Sequence, residues 1–180
     1  MPILKPINIE DVLKHAGIDI RAALGSSKAS DALHWTLTTP IGGEKDTLES
    51  TKFYRSIAEY VDDDDKRSAF ATSMMGIAAA AKQQNYQEVL KGSYVSVKTA
   101  YEFKFAGSNH KVWELKPNNK DRVYFFTHPV TVNAVKKPVI SMLLAHHKKD
   151  QNTPKEVSRY CETLMRSYLD PTVKIEILKE

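Results

Sequence analysis

Apolar residues recur at helical spacing through much of the first 90 residues and at alternate positions through much of the last 90. The stretch from Asn8 to His15 opens on a capping residue and sets Ile9, Val12 and Leu13 on one face, which predicts a short helix that Gly17 interrupts. A second short helix is expected from Asp19 to Leu24, closed by Gly25. Residues 25–28 and 38–43 carry the glycine, serine, threonine and proline of loops. Asp46 to Tyr60 has Leu48, Phe53, Ile57 and Tyr60 near helical spacing. The run Asp62 to Asp65 suits a helix N-terminus, where negative charge is favoured, and Ser68 to Lys82 is an Ala- and Met-rich segment expected to be a buried helix.

After Gly92 the texture changes. Tyr101–Phe105, Val112–Lys116, Arg122–Phe126 and Pro138–Ala145 alternate or are rich in β-branched and aromatic residues, and predict four strands. Turns are expected at Ser108–His110 and Pro117–Asp121, with a longer loop from Thr127 to Lys137. Short turns between successive strands imply an antiparallel meander. Thr153, Pro154 and Glu156 have the spacing of a capping box, and Val157, Cys161, Leu164 and Tyr168 then form one stripe for packing on the sheet. The tail from Thr172 alternates as an edge strand would. The expected fold class is α+β: N-terminal helices in residues 1–90, then a mainly antiparallel sheet with a packed C-terminal helix in residues 91–180.

Charge separates the same two halves. Residues 1–90 hold 10 Lys/Arg and 13 Asp/Glu, and residues 91–180 hold 16 and 9, so the halves carry −3 and +7. A basic half can bind phosphate backbones, an acidic partner or an anionic surface. No apolar run is long enough to span a bilayer and the first residues lack a secretory core, so a cytoplasmic protein is the expectation, with no membrane partner. The lone Cys161 reads as a small core residue. The aspartate run lacks the alternation of a calcium loop, the histidines lack metal-ligand spacing, and neither metal nor cofactor is expected.

RNA cleavage without a metal needs a group to take the 2′-hydroxyl proton, cations at the phosphorane and a donor to the leaving oxygen. Lys116, Lys120 and Arg122 flank one predicted turn, and His146, His147, Lys148 and Lys149 stand where the fourth strand ends before the capped helix. On an antiparallel sheet these can converge. His146 and His147 point to opposite faces if both remain in the strand. Arg122 can instead pair with Glu114 across the sheet, Trp113 reads as core, Tyr124 suits either face, and His110 and His128 carry no assignment.

Val112 to Lys116, Arg122 to Phe126 and Leu143 to Glu156, with its Lys-Lys-x-Gln-x-Thr-Pro stretch, resemble the phage-derived branch of the RelE/HigB toxin superfamily over roughly residues 95–170. The resemblance implies a RelE-like sheet and a type II toxin that cleaves mRNA, usually on the ribosome, leaving a 2′,3′-cyclic phosphate and a 5′-hydroxyl. It implies catalytic roles for Lys116, Arg122, His146 and His147, the histidines by vicinity only. Lys120, Tyr124, Lys148 and Lys149 would bind RNA, and a cognate antitoxin protein would cover the basic face. Lys116 stands where the family has Arg, and residues 1–90 have no counterpart there. Those residues suggest either a fused regulatory segment whose acidity restrains the basic half, or recruitment of the scaffold as a non-catalytic RNA- or protein-binding module.

Overall fold

The computed structural model describes residues 2–21, 34–85, 88, 95–132, 134–150 and 152–178. Among the described residues seven strands form one mixed sheet: β1 (Ile3–Pro6), β2 (Thr36–Ile41), β3 (Ser96–Phe105), β4 (Ser108–Lys116), β5 (Asp121–Val132), β6 (Val135–His147) and β7 (Glu176–Ile177), in the order β3-β4-β5-β6-β2-β1-β7. Four helices accompany them among the described residues: α1 (Ile9–His15), α2 (Lys52–Tyr60), α3 (Asp64–Ala81) and α4 (Lys155–Leu169). The fold is therefore α+β. The four expected strands are present, and β3 through β6 form the expected antiparallel meander. The sheet as a whole is mixed, because β2 runs parallel to β6 and β7 parallel to β1.

The N-terminal half is not only helical. It contributes β1 and β2, so the expected boundary near residue 90 crosses one continuous sheet. The threonines of β2 look like loop residues in the sequence. Once buried, they serve a strand: Thr38 shares a 3.0 Å hydrogen bond with the Ser141 hydroxyl, and the Thr39 hydroxyl donates to the Met142 carbonyl. Pro40 lies past Thr38, the last β2 residue paired with β6, so its missing N–H costs that ladder nothing.

Side chains from α1, α2 and α3 close one face of the sheet over Leu115, Val123, Phe125, Ile140 and Met142. The other face packs Tyr124, Phe126, Leu143 and Leu144 under α4. Residues 1–90 thus supply most of the cover for one face, and a chain lacking them would expose that core to water. The stripe on α4 is Val157, Cys161, Met165 and Tyr168; Leu164 is only partly buried. The capping box does not form. Pro154 is the N-cap without a side-chain hydrogen bond, while the Thr153 hydroxyl accepts from Lys148 Nζ.

At the other helix starts the sequence signals hold. Asn8 accepts from the Glu10 N–H, and Asp63 accepts from the Lys66 N–H. The segment from Asp46 forms only a short turn of 3₁₀ helix at Leu48–Ser50 before Thr51 caps α2. Of the helix expected from Asp19 to Leu24, residues 22–24 lie outside the described residues.

Two hairpins differ from expectation. The β3–β4 turn is Ala106-Gly107, with φ of 48° and 79°, so Ser108–His110 belong to the strand. Residues 127–132 and 135–137 are not loop. They extend β5 and β6 into a long arm in which Pro129 faces Pro138. One irregularity interrupts the β5–β6 ladder: Tyr124 faces Leu144 and Phe125 faces Met142, so Leu143 is the extra residue of a bulge. Leu143 and Leu144 consequently both enter the core beneath α4.

His128 is buried in that core, 8% exposed. Its ring stacks on Phe126 at 4.9 Å, and neither ring nitrogen has a hydrogen-bond partner. Burial lowers its pKa from 6.5 to about 4. Between these values the unfolded imidazole binds a proton that the folded one does not, so stability falls as pH falls through this window. The contribution is about 3 kcal/mol at most. His128→Phe is expected to flatten the loss of stability between neutral and acidic pH, measured by urea denaturation; a wild-type slope in the variant would contradict this account.

Candidate functional site

The β4–β5 turn is built by Asn118. Its Oδ1 accepts from the N–H groups of Lys120 and Asp121, and its Nδ2 donates to Asp121 Oδ2 at 2.7 Å. Arg122 staples the same turn from inside. Its guanidinium donates to the carbonyls of Asn118, Asp121 and Asn119 at 2.8, 2.7 and 3.0 Å. The end of β6 docks onto this turn through the Lys148 N–H, which donates to the Lys120 carbonyl at 2.8 Å. In register, Asp121 faces His147 and Arg122 faces His146. The two segments singled out in the sequence therefore meet at one end of the sheet.

Three charged side chains are buried beneath. Glu114 Oε2 lies 3.4 Å from Arg122 Nε and 3.3 Å from Lys148 Nζ, and Arg122 is 5% and Lys148 3% exposed. At these lengths the contacts are ion pairs more than well-made hydrogen bonds. Two cations surround one carboxylate, so the cluster keeps a net positive charge. Tyr124 lies fully buried on the same face, and loss of water raises its phenol well above the usual range. Tyr124 consequently offers no ring to a base from outside, and the charges of Arg122 and Lys148 act from beneath the surface.

The rim of the site is more open. Lys120 and Lys149 are exposed and Lys116 is half-buried. Burial, then the positive charges of Arg122, Lys98 and Lys148, hold the Lys116 pKa below the usual lysine range, against the pull of Glu114. His147 Nδ1 sits 2.7 Å from Asp121 Oδ1, which orients the ring. His146 turns the other way, as expected of adjacent strand residues. Its ring meets Tyr60 of α2 edge-on, 4.6 Å between centroids. Burial lowers its pKa, with Glu156 and Glu59 opposing and Lys148 and His147 assisting. Its deprotonated, neutral form is thus favoured.

The arrangement offers two imidazoles, one weakened ammonium and exposed cations around a positively charged base. It can transfer protons beside an anion. Sequence reading missed Asp121, Lys98 and Tyr60. Asp121 directly precedes Arg122, but its pairing with His147 depends on the bulge at Leu143, which no pattern of apolar residues announces. Among the described residues no group of three or more His, Cys, Asp or Glu is placed to hold a metal ion. In the aspartate run, Asp62 and Asp63 pair with Lys66 and Asp64 with Arg67.

Removing Arg122 would free three turn carbonyls and leave Glu114 with Lys148 alone. Arg122→Leu is expected to cost about 3 kcal/mol of stability, read by urea denaturation. Wild-type stability in the variant would show that the guanidinium does not hold the turn. No family model, curated protein or solved structure matches the chain.

Proposed function

We propose that the chain is a metal-independent endoribonuclease of RelE/HigB type, acting on mRNA as the toxin of a type II toxin-antitoxin pair. The observation that carries this reading is the docking of the end of β6 on the β4–β5 turn, which gathers His146, His147, Lys116, Lys120 and Lys149 over a buried positive cluster. In this scheme the 2′-hydroxyl loses its proton to an imidazole and attacks the adjacent phosphorus. The P–O5′ bond breaks and the 5′ oxygen takes a proton, leaving a 2′,3′-cyclic phosphate and a 5′-hydroxyl. His147, oriented by Asp121, and the neutral His146 suit the base role. Lys116, with its lowered pKa, suits the donor. Lys120 and Lys149 would hold the backbone phosphates, with Arg122 and Lys148 adding positive field from below. The ribosome would present the message, and an antitoxin would cover this basic end.

The test is cleavage of a defined mRNA by the full chain in a translating extract, scored for cyclic-phosphate ends. The variant with both His146→Ala and His147→Ala is expected to lose at least about 100-fold in rate. Unchanged cleavage would remove the histidines from the mechanism. A second reading follows from the burial of Arg122, Tyr124 and Lys148, which leaves only the rim for contact. A non-catalytic RNA-binding module would bind RNA with steep salt dependence and release no cyclic-phosphate products.

A further inference from the structure

A small cavity of about 10 Å³ lies where α2 and α3 meet the end of the sheet. Tyr60 and Val61 close it from α2 and its C-terminus, Lys66, Phe70 and Ser73 from α3, and His146 from β6. Its volume admits one water molecule and nothing larger. Three lining residues carry a buried polar atom without a hydrogen-bond partner: the Ser73 hydroxyl, on a fully buried residue, Nδ1 of His146, and Nε of Arg122, which lies 3.4 Å from the Glu114 carboxylate as an ion pair. Buried polar groups of this kind are costly unless satisfied, and a water with partners on both sides is the ordinary solution.

We infer that this cavity is a binding site for a single structural water that bridges Ser73 Oγ and His146 Nδ1, and that Ser73 is thereby a positioning residue for His146. In this arrangement the unpartnered Ser73 oxygen accepts from the water. The water oxygen then accepts from Nδ1–H. Nδ1 is the buried nitrogen of His146, so this tautomer keeps the Nε2 lone pair free to take a proton. The catalytic meaning of the bridge rests on the ribonuclease reading; the bridge and the tautomer do not.

Several charged groups act on His146 besides the water. Glu59 and Tyr60 face it from α2, Glu156 from α4, and His147 and Lys148 from its own segment. Arg122 and Asp121 from β5 and Lys66 from α3 line the same cavity. None of these is hydrogen-bonded to Nδ1, so none of them fixes the tautomer.

Nitrogen-15 NMR of the histidine side chains in the full chain tests the inference. Wild-type His146 is expected as the neutral Nδ1–H tautomer at pH 7. Ser73→Ala is expected to lose that single-tautomer signature, and Tyr60→Ala to weaken it by opening the cavity to bulk water. An Nε2–H tautomer in the wild type, or an unchanged tautomer in a folded Ser73→Ala chain, would overturn the proposal. The wild-type spectrum needs no variant to fold. Cyclic-phosphate assays on the same samples report separately on the ribonuclease reading, since the tautomer is read whether or not RNA is cleaved.

Discussion

The backbone of β6 is buried from Val139 to Ala145, and its N–H and C=O groups need partners on both edges. β5 supplies one edge throughout. The other edge is divided. β2 pairs with Val139, Ile140 and Ser141, and then departs. Beyond that point side chains complete the ladder: the Thr39 hydroxyl on the Met142 carbonyl, and the Ser56 hydroxyl under the Ala145 N–H at 2.8 Å. This requirement draws α2 alongside the end of β6. It brings Tyr60, the last residue of α2, against His146. The candidate site thus depends on the N-terminal half through the hydrogen bond from the Ala145 N–H to the Ser56 hydroxyl and through the Tyr60 ring, besides the charge of Glu59.

Elements with a strong period were legible in the sequence. The four strands of the meander, the caps at Asn8 and Asp63 and the α4 helix all follow from local pattern. What escaped was decided at a distance. β2 resembles a loop because its polar threonines are satisfied only by β6, 103 residues away. β1 is too short to show alternation. The long β5–β6 arm hides behind its two prolines. Within the site the residue types were legible and their exposure was not. Arg122, Tyr124 and Lys148 have the composition of an RNA-binding surface, yet all three are buried. The deciding feature is the extra residue at Leu143, which shifts the pairing by one. Without it Arg122 would face Ala145, and Asp121 would face His146.

The burial of Glu114 with Arg122 and Lys148 has an electrostatic consequence. Pairing offsets part of the cost of removing three charges from water, but such clusters seldom add stability over an apolar core. This one leaves a surplus positive charge fixed under a small surface. Burial first, and then that surplus, weakens the hold of Lys116 on its proton. The exposed rim therefore needs few cations of its own to attract an anion, and its acids and bases are tuned from beneath.

The facing prolines of the β5–β6 arm carry one more consequence. A ladder position occupied by proline on both strands can only be one where neither residue donates to the other, so both backbone nitrogens point outward. The arm begins where β4 and β2 no longer flank it, and its two outer margins would otherwise offer donors to any passing extended chain. Proline removes a donor from each margin at the same level. A ribbon that runs on beyond the pairing of its neighbouring strands is in this way made a poor template for intermolecular sheet growth.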